Sequence, residues 1–354
     1  MDFILDLPVI GLLLQFVGYL VAVTIRNSAL IVTVATPIGI GALCGFMNER
    51  SGVVNIGIEG MMISSAFAAW WVAALAAQVL PGAAGPLGIT LPLLVGLLAA
   101  LAVGVLVSAV HAWLSISVRA DQIISGTIIN IVGLGITGYL GLLISQNSPA
   151  TAGNFDRIRL PAGLGDLPLL GWLLRTFVEH GPITLSMLAL VVVLQVLLYR
   201  SRWGLRTRAV GEHPRAAETV GIDVIALRYR NVLLGGLLAG LAGAWFTIEF
   251  GNSFQSGMTG GRGFIALAAL IFGRWTPLGA VGAALLFGVA DALGTGIRQT
   301  PPVGDLGVVL SAIPGLVFSA LPYLVTIIVL AGVVGRSTPP AADGQPYERE
   351  TKAI

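Results

Sequence analysis

One cysteine, three histidines and 10% charged residues are nearly all the reactive chemistry in this 354-residue chain. The lone Cys44 sits in an apolar run, which excludes a disulfide framework and a cysteine-based metal site. His111, His180 and His213 are scattered, without the close helical spacing that brings two imidazoles onto one metal, and no Ser/His/Asp set is recognisable. An enzyme is therefore the weak reading. The chain has no Gly-x4-Gly-Lys-Ser/Thr run to cradle nucleotide phosphates, so it cannot be its own ATPase. Gly133–Gly138 fits the dinucleotide pattern G-x-G-x-x-G, but no strand precedes it and no acidic residue follows about 20 positions on; helix packing accounts for it. A net charge of only +2, with its basic residues clustered, gives no argument for nucleic acid. The N-terminus lacks the basic start and small-residue cleavage site of a signal peptide. Residues 3–25 are thus expected to be a retained first span, with Asp2 and Asp6 at its entrance.

What the chain has instead is hydrophobicity, 56% of residues, and 47 glycines. Its apolar runs repeatedly reach the roughly 20 residues that cross a bilayer as helix, and they are apolar on all sides rather than striped. Small residues suit close packing between such helices, and Gly236-x3-Gly240 reads as one such contact. The fold class expected is all-α, a polytopic transmembrane bundle of about ten spans (eight to ten): 3–25, 28–47, 57–79, 88–117, 121–145, 182–199, 229–250, 262–273, 276–295 and 306–334. The eighth is too short for a straight crossing at about 1.5 Å per residue, which makes it a shielded short helix or a re-entrant half-helix. Within 146–181 the stretch LPLLGWLLRTF reads as an interfacial helix. Residues 1–334 form the transmembrane domain, and the polar tail 335–354 is expected to be disordered.

Charge gives the orientation. Residues 200–228 form an arginine-rich connection between two apolar segments, and such a connection belongs in the cytoplasm. Ten crossings then place both termini in the cytoplasm, with thirteen basic residues inside and six outside. The connection carries helix signals: Glu212, His213 and Pro214 near a start, Arg215, Ala216, Ala217 and Glu218 within, Gly221 at the close. A cytoplasmic helix held between two spans is a docking surface for another protein.

Polar residues also interrupt the apolar regions. Asn48–Met62 places Asn55 and then Glu59 inside or beside a span, and intramembrane carboxylates usually face the interior of a bundle. Gln122 and Asn130 lie about two turns apart on one face of the fifth span, while Asp121 reads as its N-cap. Trp245 and Phe254 are suited to stacking on a planar base or sugar. Asn55, Glu59, Gln122, Asn130, Trp245 and Phe254 together are the candidate substrate path. A buried carboxylate such as Glu59 also permits an alternative, a proton-coupled secondary transporter of a small polar solute, although that reading leaves the docking helix unexplained.

Three stretches in order, ERSGVVNIGIEGMM, GLRTRAVGEHPRAAETVGI and GRGFIALAALIFGRWTPLGAVGAALLFG, carry a resemblance over about residues 30–330. The chain resembles permeases of ABC importers of the branched-chain amino acid and simple-sugar class, most closely the nucleoside and simple-sugar branch. The resemblance implies a cytoplasmic-membrane permease paired with a second homologous permease. It also implies two ATPase subunits that consume ATP, an external substrate-binding lipoprotein, surrounding membrane lipid, and no cofactor on this chain. The arginine-rich connection corresponds to the coupling loop that docks on the ATPase. Where importers often show EAA-x3-G, this chain has Arg215-Ala216-Ala217 with Gly221 at the right spacing, so the leading Glu is replaced. A route lined by Asn, Gln, Ser and aromatics suits neutral nucleosides rich in hydrogen-bonding groups.

Overall fold

The computed structural model describes residues 8–80, 82–145, 152–161, 163–302, 304–328 and 337–348. In these residues the regular elements are all helical: α1 Pro8–Arg26, α2 Ser28–Glu49, α3 Ile58–Ala76, α4 Leu91–Ala112, α5 Gln122–Ser145, α6 Pro168–Phe177, α7 Pro182–Arg200, α8 Arg202–Glu212, α9 Pro214–Thr219, α10 Val224–Trp245, α11 Arg262–Phe272, α12 Pro277–Gln299, α13 Asp305–Ser311, α14 Gly315–Ser319 and α15 Leu321–Ile328. π-helical turns extend α4 through Ser117 and α10 through Phe250. Asp2, Asp6 and Pro149 lie outside the described residues.

Local chemistry sets several boundaries. Thr90 caps α4, accepting from the Leu93 amide, with Pro92 in the first turn. Asp121 caps α5 as expected, its Oδ1 accepting from the amides of Ile123 (2.8 Å) and Ile124 (3.0 Å). Ser201 starts α8 and Asp223 starts α10 in the same way.

Among the described residues, seven helices are long and apolar enough to cross a membrane: α2, α3, α4 with its extension, α5, α7, α10 with its extension, and α12. The apolar parts of α1 and α11 are shorter. Against the expectation of about ten spans stand these seven candidates. Residues 306–334 do not form one helix over their described part. Pro314 separates α13 from α14 because it has no amide hydrogen and forces the preceding residue out of the helical region, and a second break at Ala320 separates α14 from α15. LPLLGWLLRTF folds as the ten-residue α6, too short to cross.

Two compact units can be distinguished. One contains residues 1–35, 160–179 and 285–335; in it Ile297, Leu306, Leu310 and Phe318 pack with Leu12 and Phe16 of α1. The other contains residues 36–159, 180–284 and 336–354, and α3, α4 and α10 form its centre. Small residues permit that centre. A Cβ at Gly104 would lie 2.3 Å from the Gly236 carbonyl oxygen and 2.8 Å from the Gly240 Cα, so α4 and α10 meet backbone to backbone. Gly133 packs on Gly60 in the same manner, which fits the helix-packing reading of its motif. The outer face of α5 shows the reverse, with Ile124, Ile128, Ile131 and Leu142 exposed, as a lipid-facing helix requires.

Candidate functional site

The candidate residues all fall in the second unit. Between α2 and α3 the chain leaves the helix for residues 50–57, and backbone groups freed there need partners if they lie away from water. Side chains of α4 and α5 supply them. Gln122 Oε1 accepts from the Val54 amide (2.7 Å), and His111 Nε2 lies 2.9 Å from the Val54 carbonyl. Asn130 is bidentate: its Oδ1 accepts from the Gly60 amide (2.7 Å) and its Nδ2 donates to the Ile56 carbonyl (2.9 Å). Asn55 Oδ1 closes the segment by accepting from the Gly57 amide (2.9 Å). Asn55, Gln122 and Asn130 are therefore brought to one segment, where each side-chain oxygen accepts from a backbone amide, while Gln122 Nε2 is buried without a partner among the described residues. His111, fully buried and 3.0 Å from Ser125 Oγ, belongs to the same network. Its only sequence signal was an isolated imidazole inside an apolar run.

Glu59 meets α11. Its carboxylate accepts from Thr259 Oγ1 (2.6 Å) and from the amides of Gly261 (2.8 Å) and Gly263 (2.6 Å). Those amides open a short helix whose first N–H groups have no intrahelical acceptor, and a negative charge there also suits the helix dipole. Glu249 repeats the device at α7, accepting from the amides of Ile183 and Thr184 and from Thr184 Oγ1. Each carboxylate is thus a helix cap delivered by a distant part of the chain.

The two candidate aromatics separate. Trp245 is buried, stacks on Phe250 with ring centroids 4.6 Å apart, and donates its indole N–H to Thr184 Oγ1. Phe254 lies half-buried with one edge against Phe67 (5.2 Å) and a face toward Trp70 (6.1 Å), flanked by exposed Asn252 and Gln255. Only Phe254 keeps a surface that an external planar molecule can reach.

The α7–α10 connection is two helices rather than one. α8 ends at Glu212, His213 leaves the helical region (φ −139°, ψ 77°), and Pro214 starts α9. Gly221 closes α9 with φ +85°, and the Ile222 amide donates to the Ala217 carbonyl, a left-handed cap of the expected kind. Ala217 is buried with Val210, Val224 and Leu227 against its own chain. Arg215, Ala216 and His213 are exposed, as is Val220 beyond the helix end.

Residues 337–348, expected to be disordered, are ordered on this connection. Their composition is polar, but their order comes from specific long-range partners. The Ala342 amide donates to the Gly211 carbonyl and the Ala341 amide to Glu212 Oε2; Tyr347 packs on Ala217 and its hydroxyl bonds the Glu218 carboxylate. Arg228 of α10, 1% exposed, ties the parts together, donating to the Ser51 carbonyl and the Gln345 carbonyl at 3.0 Å each. Arg50 lies 3.6 Å from Glu212. Burial among these groups pushes the Asp343 carboxyl up to about 7, with Arg228 pulling the other way.

Comparison with known proteins shows the family. The profile of a family described as branched-chain amino acid transport system / permease component matches residues 27–333. The guanosine ABC transporter permease protein NupQ of Bacillus subtilis is 41% identical over 315 residues, 88% of this chain and 93% of that one. The nucleoside ABC transporter permease protein NupC of Lactococcus lactis is 35% identical over 315 residues, with the same coverage. A second guanosine permease of Bacillus subtilis, NupP, is 29% identical over 312 residues, 87% of this chain and 82% of that one. With its long apolar helices and a profile match across most of its length, the chain belongs to the family of membrane permease components of the branched-chain amino acid transport system type.

Proposed function

We propose that this chain is the permease subunit of an ABC importer that carries nucleosides, with simple sugars as the second substrate class, across the cytoplasmic membrane. The observation that carries this reading is the 41% identity, over nearly the whole chain, to a permease named for guanosine. In this reading two ATPase subunits supply the energy and an external lipoprotein delivers the substrate. The likeness to both NupQ and NupP of one organism supports pairing with a second homologous permease. The α8–α9 elbow is the ATPase-docking surface, with His213, Arg215, Ala216 and Val220 as its outward face. The packing of residues 341–347 on that elbow supports a C-terminal segment on the same, cytoplasmic side. The N-terminus joins it there if α1 crosses as well.

The proton-coupled alternative is disfavoured by Glu59, whose carboxylate already holds three donors and caps a helix. Uptake of labelled guanosine, by cells expressing the chain with its partner subunits and by cells lacking only this chain, tests the proposal. Uptake should require this chain and ATP and be competed by nucleosides. Uptake by the purified chain alone in vesicles, driven by a proton gradient, would overturn it.

A further inference from the structure

On the second unit, α7 and α10 leave a groove of about 650 Å³ between them. Leu190 and Leu197 of α7 and Leu237 and Leu241 of α10 line its length, and Trp203 and Arg230 stand at one end. From Arg230 to Leu241 is eleven residues of helix, or about 16 Å at roughly 1.5 Å per residue. That is close to half of a hydrocarbon core about 30 Å thick, the depth of one leaflet. The groove therefore has its polar end where headgroups sit and its apolar end near the bilayer centre. Arg230 is exposed and makes no hydrogen bond or ion pair with any described residue. Its neighbour two positions earlier, Arg228, is by contrast buried and doubly bonded to backbone carbonyls. The Trp203 indole N–H donates to Asn231 Oδ1, which holds the ring in place at the mouth.

We propose that this groove is a binding site for one anionic phospholipid of the leaflet facing the arginine-rich connection. One acyl chain lies along the leucines and the phosphate rests on Arg230. An acyl chain matches a groove without polar walls, and an unpaired guanidinium at headgroup depth calls for a negative charge. The site rests on the helices crossing a membrane but not on the identity of the transported solute. Its readout needs neither substrate nor ATPase, so failure of the transport proposal and failure of this one are separable.

The test is native mass spectrometry of the full chain released from micelles containing phosphatidylglycerol or phosphatidylcholine. Wild type should retain one phosphatidylglycerol in preference to phosphatidylcholine. Arg230→Gln, a change at an exposed position, should weaken phosphatidylglycerol retention by about five- to tenfold and leave phosphatidylcholine unchanged. Leu237→Trp, which fills the groove, should reduce both lipids. Arg206→Gln, on the exposed face of α8, should behave as wild type. Equal retention of the two lipids by wild type would overturn the site. So would an Arg206→Gln loss as large as that of Arg230→Gln, which would mean a diffuse surface potential. Displacement of the lipid whenever a second copy of the chain binds would assign the groove to a protein interface instead.

Discussion

Replacing Glu59 separates a helix cap from a group that lines a substrate path. In the structure its carboxylate accepts three hydrogen bonds of 2.6–2.8 Å at the start of α11. A hydrogen bond to a charged group contributes about 1.5–3 kcal/mol net, and a buried donor left without an acceptor costs about 1–3 kcal/mol. Glu59→Gln keeps one acceptor oxygen but turns an NH2 group toward a donor, so it should destabilise the protein by about 2 kcal/mol. Glu59→Leu removes every acceptor and the favourable charge at the helix start, for a loss of roughly 4 kcal/mol. The assay is the denaturation midpoint of the full chain in detergent micelles, with amide exchange at Gly263 followed in parallel. The expected order is wild type, then Gln, then Leu, with Gly263 protection falling in the same order and transport falling with stability. A Glu59→Leu protein with the wild-type midpoint and a protected Gly263 amide would refute the reasoning. It would return Glu59 to the role expected from sequence, where Glu59→Gln impairs transport while assembly stays near normal.

The elbow offers a paired test. Ala217→Trp forces an indole into the buried cluster of Val210, Val224 and Leu227; overpacking costs about 1–3 kcal/mol or more, so expression and thermal stability should drop. Ala216→Trp, on the exposed face, should leave stability unchanged and lower substrate-stimulated ATPase activity of the assembled importer; unchanged coupling would move the docking surface elsewhere. The Asp343 carboxyl, pushed up to about 7 when the tail is docked against an ordinary value of 3.8, binds its proton more tightly in the docked state. Docking is therefore favoured at low pH and weakens as pH rises through about 4 to 7. The protection factor of the Ala342 amide should fall over the upper part of that window, and Asp343→Asn should flatten the dependence; a pH-independent factor in wild type would contradict it.

Much of the architecture was legible because lipid imposes a simple rule on composition, and α2 to α5, α7, α10 and α12 each follow it. The Asp121 cap and the shortness of α11 were equally local and equally readable. Averaged hydropathy concealed the break at Pro314, since one proline barely changes the mean over 29 residues of 306–334. The sequence assigned the candidate path residues to helix faces, but a face does not name its partner. The donors that occupy Glu59 are 200 to 204 positions away, and those of Gln122 and Asn130 are 68 to 70 positions away. Ala216 and Ala217 could not be told apart because a six-residue helix is too short to show a period. The tail was missed for a similar reason: its order comes from Gly211, Glu218 and Arg228, not from any hydrophobicity of its own.

Arg228 also imposes an order on biogenesis. Its bond to Ser51 reaches back 177 residues, to chain made earlier, whereas its bond to Gln345 waits for chain 117 residues later. At a synthesis rate of about 5–20 residues per second, that wait lasts roughly 6–23 s. During it the guanidinium is left with one of its two carbonyl partners missing, in a position that the finished protein seals from water. The arginine-rich connection is thus completed late in translation, after the helices on either side of it have been made. Until then the surface of the connection that residues 341–347 come to cover is left open.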